Sequence, residues 1–294
     1  MDPSLTLHLL KIVNSAFYGF RGEIESVCHA MGVVGTEQLM QLVLATTVVE
    51  QFEGIPTNDL PEGILAELRP YQHSGFEFLC HLQSMRLGGI LADDMGLGKT
   101  IQAIGTINLN PDIKSAIIIC PACLRINWMR ELQTWLTRPM SIGIAQGNDL
   151  PVEADIVIIN YDILDRHIVA LDARHHERPF NIAIVDESHY IKNQKTKRYK
   201  AVKAIVENTE RKVFMTGTPI PNRPKEGFAI FNLLDPQAFN NYWRYAAKFC
   251  DGHKNRFGYD DTGSSNLGEL QTILRESFMI RRLKKDVLTE LPDK

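Results

Sequence analysis

The chain has no surplus of positive charge: 32 lysines and arginines stand against 35 aspartates and glutamates, a formal net charge of −3. A protein that is basic overall is thereby excluded, and any nucleic-acid surface has to be a local patch. No apolar run approaches the roughly 20 residues of a membrane span, so no membrane partner is expected. The first residues lack a basic region followed by an apolar core and a small-residue cleavage site, so no secretory signal is read there. Cysteine is scarce and odd in number: Cys28, Cys80, Cys120, Cys123 and Cys250. That scattered set fits a reducing compartment. Cys120 and Cys123 form a C-x-x-C without a second pair, so no metal or redox role is expected of them. Internal repeats and low-complexity tracts are absent. What remains is ordinary for a soluble globular protein, 44% apolar and 23% charged, and its 294 residues allow one large domain or two.

One stretch organises the rest: Ile90-Leu91-Ala92-Asp93-Asp94-Met95-Gly96-Leu97-Gly98-Lys99-Thr100-Ile101. A short apolar run, two acids, two glycines around Leu97, a Lys-Thr pair and a helical pattern follow one another. This reads as strand, phosphate loop and helix N-terminus. Glycines let backbone N–H groups curl around an anion, and the helix start adds partial positive charge. Asp94, Met95, Gly96, Leu97, Gly98, Lys99, Thr100 and Ile101 are thus candidate nucleotide contacts. Lys99 reaches for the β- and γ-phosphates, and the Thr100 hydroxyl is a candidate Mg²⁺ ligand. One feature departs from the general pattern: Asp93 stands where a glycine is expected.

Taken in order, residues 1–54 read as helical, 55–67 as a linker, 68–235 as a nucleotide-binding lobe and 236–294 as a helical extension. Apolar strands are expected at Gly89–Ala92, Ala116–Cys120, Ile142–Ala145, Asp155–Ile159, Asn181–Val185 and Lys212–Met215, alternating with helices. That alternation predicts an α/β fold, a parallel sheet covered on both faces. Ligands bind such sheets at the C-terminal strand ends, where the polar motifs fall. His175 and His176 read as part of a charged loop, and Trp128 as a packed aromatic. Val185-Asp186-Glu187-Ser188-His189 places two carboxylates after a buried strand. Asp186 suits Mg²⁺, and Glu187 suits positioning or deprotonating the attacking water.

Asp93-Asp94-Met95-Gly96-Leu97-Gly98-Lys99-Thr100-Ile101-Gln102 resembles the nucleotide loop of Swi/Snf-type ATPases of helicase superfamily two, where the first loop position is usually acidic. The resemblance runs from about residue 68 to 294 and implies a RecA-like fold that uses ATP and Mg²⁺. Leu68-Arg69-Pro70-Tyr71-Gln72 is similar to the upstream adenine-sensing motif and implies that Gln72 reads the base. Cys120-Pro121 through Asn127-Trp128, and Asn160-Tyr161-Asp162, resemble motifs near DNA, which implies DNA contacts for Asn127 and Tyr161. Asp186-Glu187-Ser188-His189 resembles the Asp-Glu-x-His box. Thr216-Gly217-Thr218-Pro219 resembles the motif that couples hydrolysis to DNA movement, which implies coupling roles for His189, Thr216, Gly217 and Thr218. Gly263 to Leu270 and Arg281-Arg282-Leu283-Lys284-Lys285-Asp286-Val287-Leu288 look like the annealing-helicase branch. Separately, Leu9 to Gly19 and Ala30 to Gly35 resemble the opening of an HDOD domain, a bacterial helical signalling module, which implies a protein partner for residues 1–54.

Basic clusters fit a DNA track: Lys192, Lys195, Lys197, Arg198, Lys200 and Lys203, then Arg281, Arg282, Lys284 and Lys285. Such clusters bind the DNA backbone without reading sequence. The resemblance implies a second RecA-like lobe that supplies arginine fingers, and no such lobe is expected within residues 1–294. The resemblance therefore implies an ATP hydrolase that acts weakly by itself. A strand-separating helicase, a restriction-type motor lobe and an inert nucleotide-binding scaffold remain as alternatives. Placement on a bacterial nucleoid, in the cytoplasm, is expected.

Overall fold

The computed structural model describes residues 68–217, 223–256 and 258–287. The expected helical segment 1–54, the linker 55–67 and Thr218 lie outside the described residues. The chain opens with α1 (Pro70–Ser84), β1 (Gly89–Leu91), α2 (Lys99–Leu109), β2 (Ala116–Cys120), α3 (Arg125–Trp135) and β3 (Ile142–Ile144). It continues through β4 (Ile156–Asn160), α4 (Tyr161–Glu177), β5 (Ile182–Val185), α5 (Lys197–Glu207) and β6 (Arg211–Met215). Then come α6 (Phe228–Leu234), α7 (Tyr242–Phe249), β7 (His253–Asn255), β8 (Gly258–Asp260), α8 (Leu267–Ser277), β9 (Met279–Ile280) and α9 (Lys284–Val287).

A seven-stranded sheet in the order β3-β4-β2-β5-β6-β1-β9 forms the core. The strands β1 to β6 pair in parallel. Ile117 to Ile119, Ile156 to Ile159 and Ile182 to Val185 are fully buried, as strands covered by helices on both faces must be. Register sets where the strands end: Leu91 lies beside Met215, Phe214 beside Val185, Ile119 beside Val185 and Cys120 beside Asn160. Asp93, Pro121, Tyr161, Asp186 and Thr216 therefore all leave the sheet at the carboxyl ends of its parallel strands. Asp155 pins the outer pair, accepting from the Ser141 N–H (2.6 Å) and hydroxyl (2.7 Å) and pairing with Arg178.

All six expected strands are present within a residue or two of their predicted ends. Two features differ from expectation. His175 and His176 belong to the last turn of α4, where Phe180 N–H donates to His175 Nδ1 (3.2 Å). The region after Asp235 contains the β7–β8 hairpin as well as helices. The described residues fall into two compact units, 223–279 in one and 68–217 with 280–287 in the other. Physical reasons are visible in each unit. In the first, Phe228, Phe231, Phe239, Tyr245 and Phe249 pack on one another with centroids 5.1–6.4 Å apart. In the second, Ala92 N–H donates to Ile280 O (2.8 Å), which brings the chain back to the sheet.

Candidate active site

The loop between β1 and α2 is a cradle that only glycine can build. Gly96 has φ +81° and Gly98 φ +73°, the left-handed region that strains other residues. A Cβ on Gly98 would stand 2.2 Å from Gln72 Nε2. The first turn of α2 then points its unpaired N–H groups into the loop. Leu97 anchors the turn by burying its side chain in the core, and Ile101 lies largely buried on α2. Met95 is exposed, and Asp94 turns its carboxylate to the backbone N–H of Lys284 (2.9 Å). Gln72, at the third position of α1, accepts from Arg69 N–H (2.9 Å) and donates to Leu97 O (3.2 Å). The candidate base reader is thus fixed between a helix start and the phosphate loop.

A cavity of about 210 Å³ opens beside this loop. Met95, Gly96, Gly98, Lys99 and Thr100 line one wall, Leu124, Asn127 and Trp128 another, and Asp186, Glu187 and Met215 the rest. Lys99 is 9% exposed and donates to the carbonyls of Asp93 (2.8 Å) and Asp94 (3.2 Å). Burial pulls its amine below the usual lysine range, against the pull of Glu187, Asp93, Asp186 and Asp94. Burial pushes the Asp186 carboxyl up, and a hydrogen bond from Trp128 opposes that rise. The Trp128 indole N–H reaches Asp186 Oδ2 at 2.8 Å, and Glu187 N–H reaches Oδ1 at 2.9 Å. Glu187 adopts φ 49° and accepts from His189 Nδ1 (3.2 Å), which holds its carboxyl below the usual range. Thr216 Oγ1 lies 3.5 Å from the same His189 nitrogen. Gly217 lets the loop pass close by, since a Cβ there would meet Met95 Cγ at 2.9 Å.

Several predicted residues sit where sequence did not put them. Tyr161, expected near DNA, is 2% exposed, and its hydroxyl donates to Asp186 O (2.5 Å), which supports the end of β5. Arg282 is also removed from the exposed basic set, because its guanidinium forms a bidentate pair with Asp93, itself fully buried. Asn127, Lys192 and Arg281 are exposed. Trp128, read as packing, is 1% exposed and serves as a hydrogen-bond donor as well. Its indole N–H was the only signal in the sequence for that second role. Cys120 is buried, its thiol pushed up to about 12 by burial, while Cys123 is exposed.

The donor set suits a nucleotide and a hard cation. Left-handed glycines free backbone N–H groups, a buried amine rests on carbonyl oxygens, and Thr100 and Asp186 supply oxygen ligands beside it.

The SNF2-related domain family matches residues 71–294. The chain belongs to that family. Residues 1–63 match the HDOD domain family. A Xenopus tropicalis protein, SWI/SNF-related matrix-associated actin-dependent regulator of chromatin subfamily A-like protein 1, is 36% identical over 85% of this chain and 26% of its own length. The human DNA annealing helicase and endonuclease ZRANB3 is 36% identical over 80% of this chain and 22% of its own. The chain thus spans about a quarter of these relatives. The Sulfolobus solfataricus SWI2/SNF2 ATPase core in complex with dsDNA shares the fold with a TM-score of 0.62 and 28% identity, over 81% of this chain and 48% of that one. These findings overturn the expected bacterial, nucleoid-associated cytoplasmic placement, because these curated relatives are animal proteins that include a regulator of chromatin.

Proposed function

We propose that this SNF2-related chain is the ATP- and Mg²⁺-binding first lobe of a DNA-dependent ATPase that remodels or reanneals DNA. The observation that carries the reading is the meeting of Lys99, Thr100, Asp186 and Glu187 around one cavity, drawn from the ends of two strands that are not neighbours. When bound, ATP supplies the phosphoryl group and Mg²⁺ screens its charge. Lys99 and the α2 N-terminus would bind phosphate oxygens, and Thr100 and Asp186 would hold the cation. Glu187 would orient a water and accept its proton as the β–γ phosphate bond breaks and ADP leaves, with His189 fixing the carboxylate's direction. His189 also touches Thr216, giving a route from Glu187 to β6 and the coupling segment. Exposed Asn127, Lys192 and Arg281 are proposed to meet DNA backbone, without sequence readout. The annealing-helicase reading draws on the relatives' names, and the HDOD-like residues 1–63 are proposed to engage a protein partner.

No arginine among the described residues lines the cavity. Hydrolysis by this chain alone is therefore expected to be slow until an arginine is brought to the phosphate, a contribution of about 10³–10⁵ in rate. The test is fluorescent-ATP binding and phosphate release, with and without duplex DNA. Lys99→Ala is expected to lose binding. Glu187→Gln is expected to keep binding and lose about 10²–10⁴ of the rate. Wild-type binding left intact in Lys99→Ala would sink the reading and favour a scaffold.

A further inference from the structure

We propose that Arg282 is a positioning residue of the nucleotide site, a cation that joins the phosphate loop, α1 and α2 into one frame. The inference rests on the ATP-binding reading above and names how that site is held. Four observations carry it. Arg282 Nε and backbone N–H both donate to Asp93 Oδ1, at 2.9 and 3.0 Å, and Nη2 donates to Oδ2. Nη2 also donates to Gln102 Oε1 on α2 (2.9 Å), and Gln102 in turn donates to Gly98 O (3.2 Å) at the glycine that opens the helix. The guanidinium lies 5.6 Å from the Tyr71 ring, one residue before Gln72 on α1. Finally, α1 carries a glycine in its interior at the guanidinium. A Cβ on Gly75 would stand 1.9 Å from Gln102 Oε1 and 2.2 Å from Arg282 Nη2.

The physical consequence follows from Asp93. Its side chain is fully buried, and a carboxylate there is held only by a bidentate partner. Its carbonyl accepts from the Lys99 amine (2.8 Å), so whatever orients Asp93 orients the lysine's resting place. The backbone repeats the link one residue on, where Asp94 N–H donates to Arg282 O (3.1 Å). Arg282 Nη1 is buried without a hydrogen-bond partner among the described residues. Leaving that donor unpaired costs free energy, which the bidentate pair with Asp93 offsets. An interior helix glycine costs stability as well, and here it makes room for the guanidinium. Asp93, the departure from the general phosphate-loop pattern, thereby acquires a role as the socket for a cation 189 positions away.

The experiment uses residues 1–294 with Arg282→Gln, Arg282→Lys and Gly75→Ala, and Lys99→Ala as the control for loss of nucleotide. Three quantities are read: affinity for a fluorescent ATP analogue, amide hydrogen exchange across residues 93–98 without nucleotide, and affinity for duplex DNA. Arg282→Gln is expected to weaken nucleotide binding about tenfold or more, to speed exchange in the loop and to leave DNA affinity unchanged. Arg282→Lys, charged but unable to bind in two places, is expected to fall between. Gly75→Ala is expected to weaken the nucleotide although alanine favours helices, an effect that a role in helix stability alone would not produce. If Arg282→Gln does not fold, the other two variants carry the test. Unchanged nucleotide affinity and exchange in the folded variants would overturn the proposal, as would a loss of DNA affinity alone. If the wild type binds no nucleotide, the functional reading fails separately. Loop exchange then decides, with faster exchange supporting the frame and unchanged exchange overturning it.

Discussion

At Trp128 one N–H does what a hydrophobic reading of the residue leaves out. The indole fills the space beneath the end of β5 and donates to Asp186 Oδ2 at 2.8 Å. Burial alone pushes the Asp186 carboxyl up, toward the neutral form that ligates a cation poorly. The indole favours the ionised form and fixes its direction, as the proposed role of Asp186 as a cation ligand would require. Trp128→Phe keeps the bulk and removes the donor. It is expected to weaken the Mg²⁺ dependence of fluorescent-ATP binding by about 10–100-fold, as read by Mg²⁺ titration. An unchanged titration would return Trp128 to packing alone. Tyr161 acts one step further back, its hydroxyl on the Asp186 carbonyl, so two buried aromatics hold the residue that the cavity exposes.

Elements are held to one another by similarly local chemistry. The outer strand β3 is only partly buried, so hydrophobic burial alone holds it less firmly than it holds the central strands. Its pairing with β4 is fixed at the start by Asp155, which takes two hydrogen bonds from Ser141 and pairs with Arg178. Partial burial opposes ionisation of Asp155, but Ser141 and Arg178 outweigh it and hold the carboxyl below its ordinary value. A carboxyl lowered on folding adds stability that is present above its unfolded pKa, about 3.9. That stability is lost as the pH falls through the folded value. Asp155→Asn is therefore expected to cost about 1 kcal/mol near neutrality, solvent screening included. The difference from wild type should narrow toward pH 3 or so. Urea denaturation at both pH values checks the sign. A gap that widened on acidification would contradict it.

For the whole molecule, a net charge of −3 confines the proposed DNA binding to local exposed cations. Lys192 and Arg281 are exposed, whereas Arg282 is committed to Asp93. Each phosphate contact adds about −0.9 to the slope of log affinity against log salt. Lys192→Ala and Arg281→Ala are each expected to make the slope for duplex binding shallower by about 0.9. Arg282→Gln should leave it unchanged. Fluorescence anisotropy across a salt series measures all three, and an equal change in Arg282→Gln would show that this guanidinium meets DNA.

The sequence by itself determined the sheet and pointed to the residues that line the candidate nucleotide cavity. Strands buried on both faces are apolar runs, such as Ile117 to Ile119 and Ile156 to Ile159, and they announce themselves locally. Phosphate loops and strand-end carboxylates are short motifs whose spacing is legible without a fold. Only the tertiary structure decided who holds them. Trp128 finds Asp186 across 58 positions and Arg282 finds Asp93 across 189, distances over which no periodicity carries information. A two-residue strand at a sheet edge, Met279–Ile280, leaves no pattern of its own, yet it returns the chain to β1 and sets Arg282 beside the loop. A cluster of basic residues reads alike whether it faces water or a buried acid. Folding told them apart because a fully buried carboxylate at Asp93 requires a cation, and Arg282 supplies it.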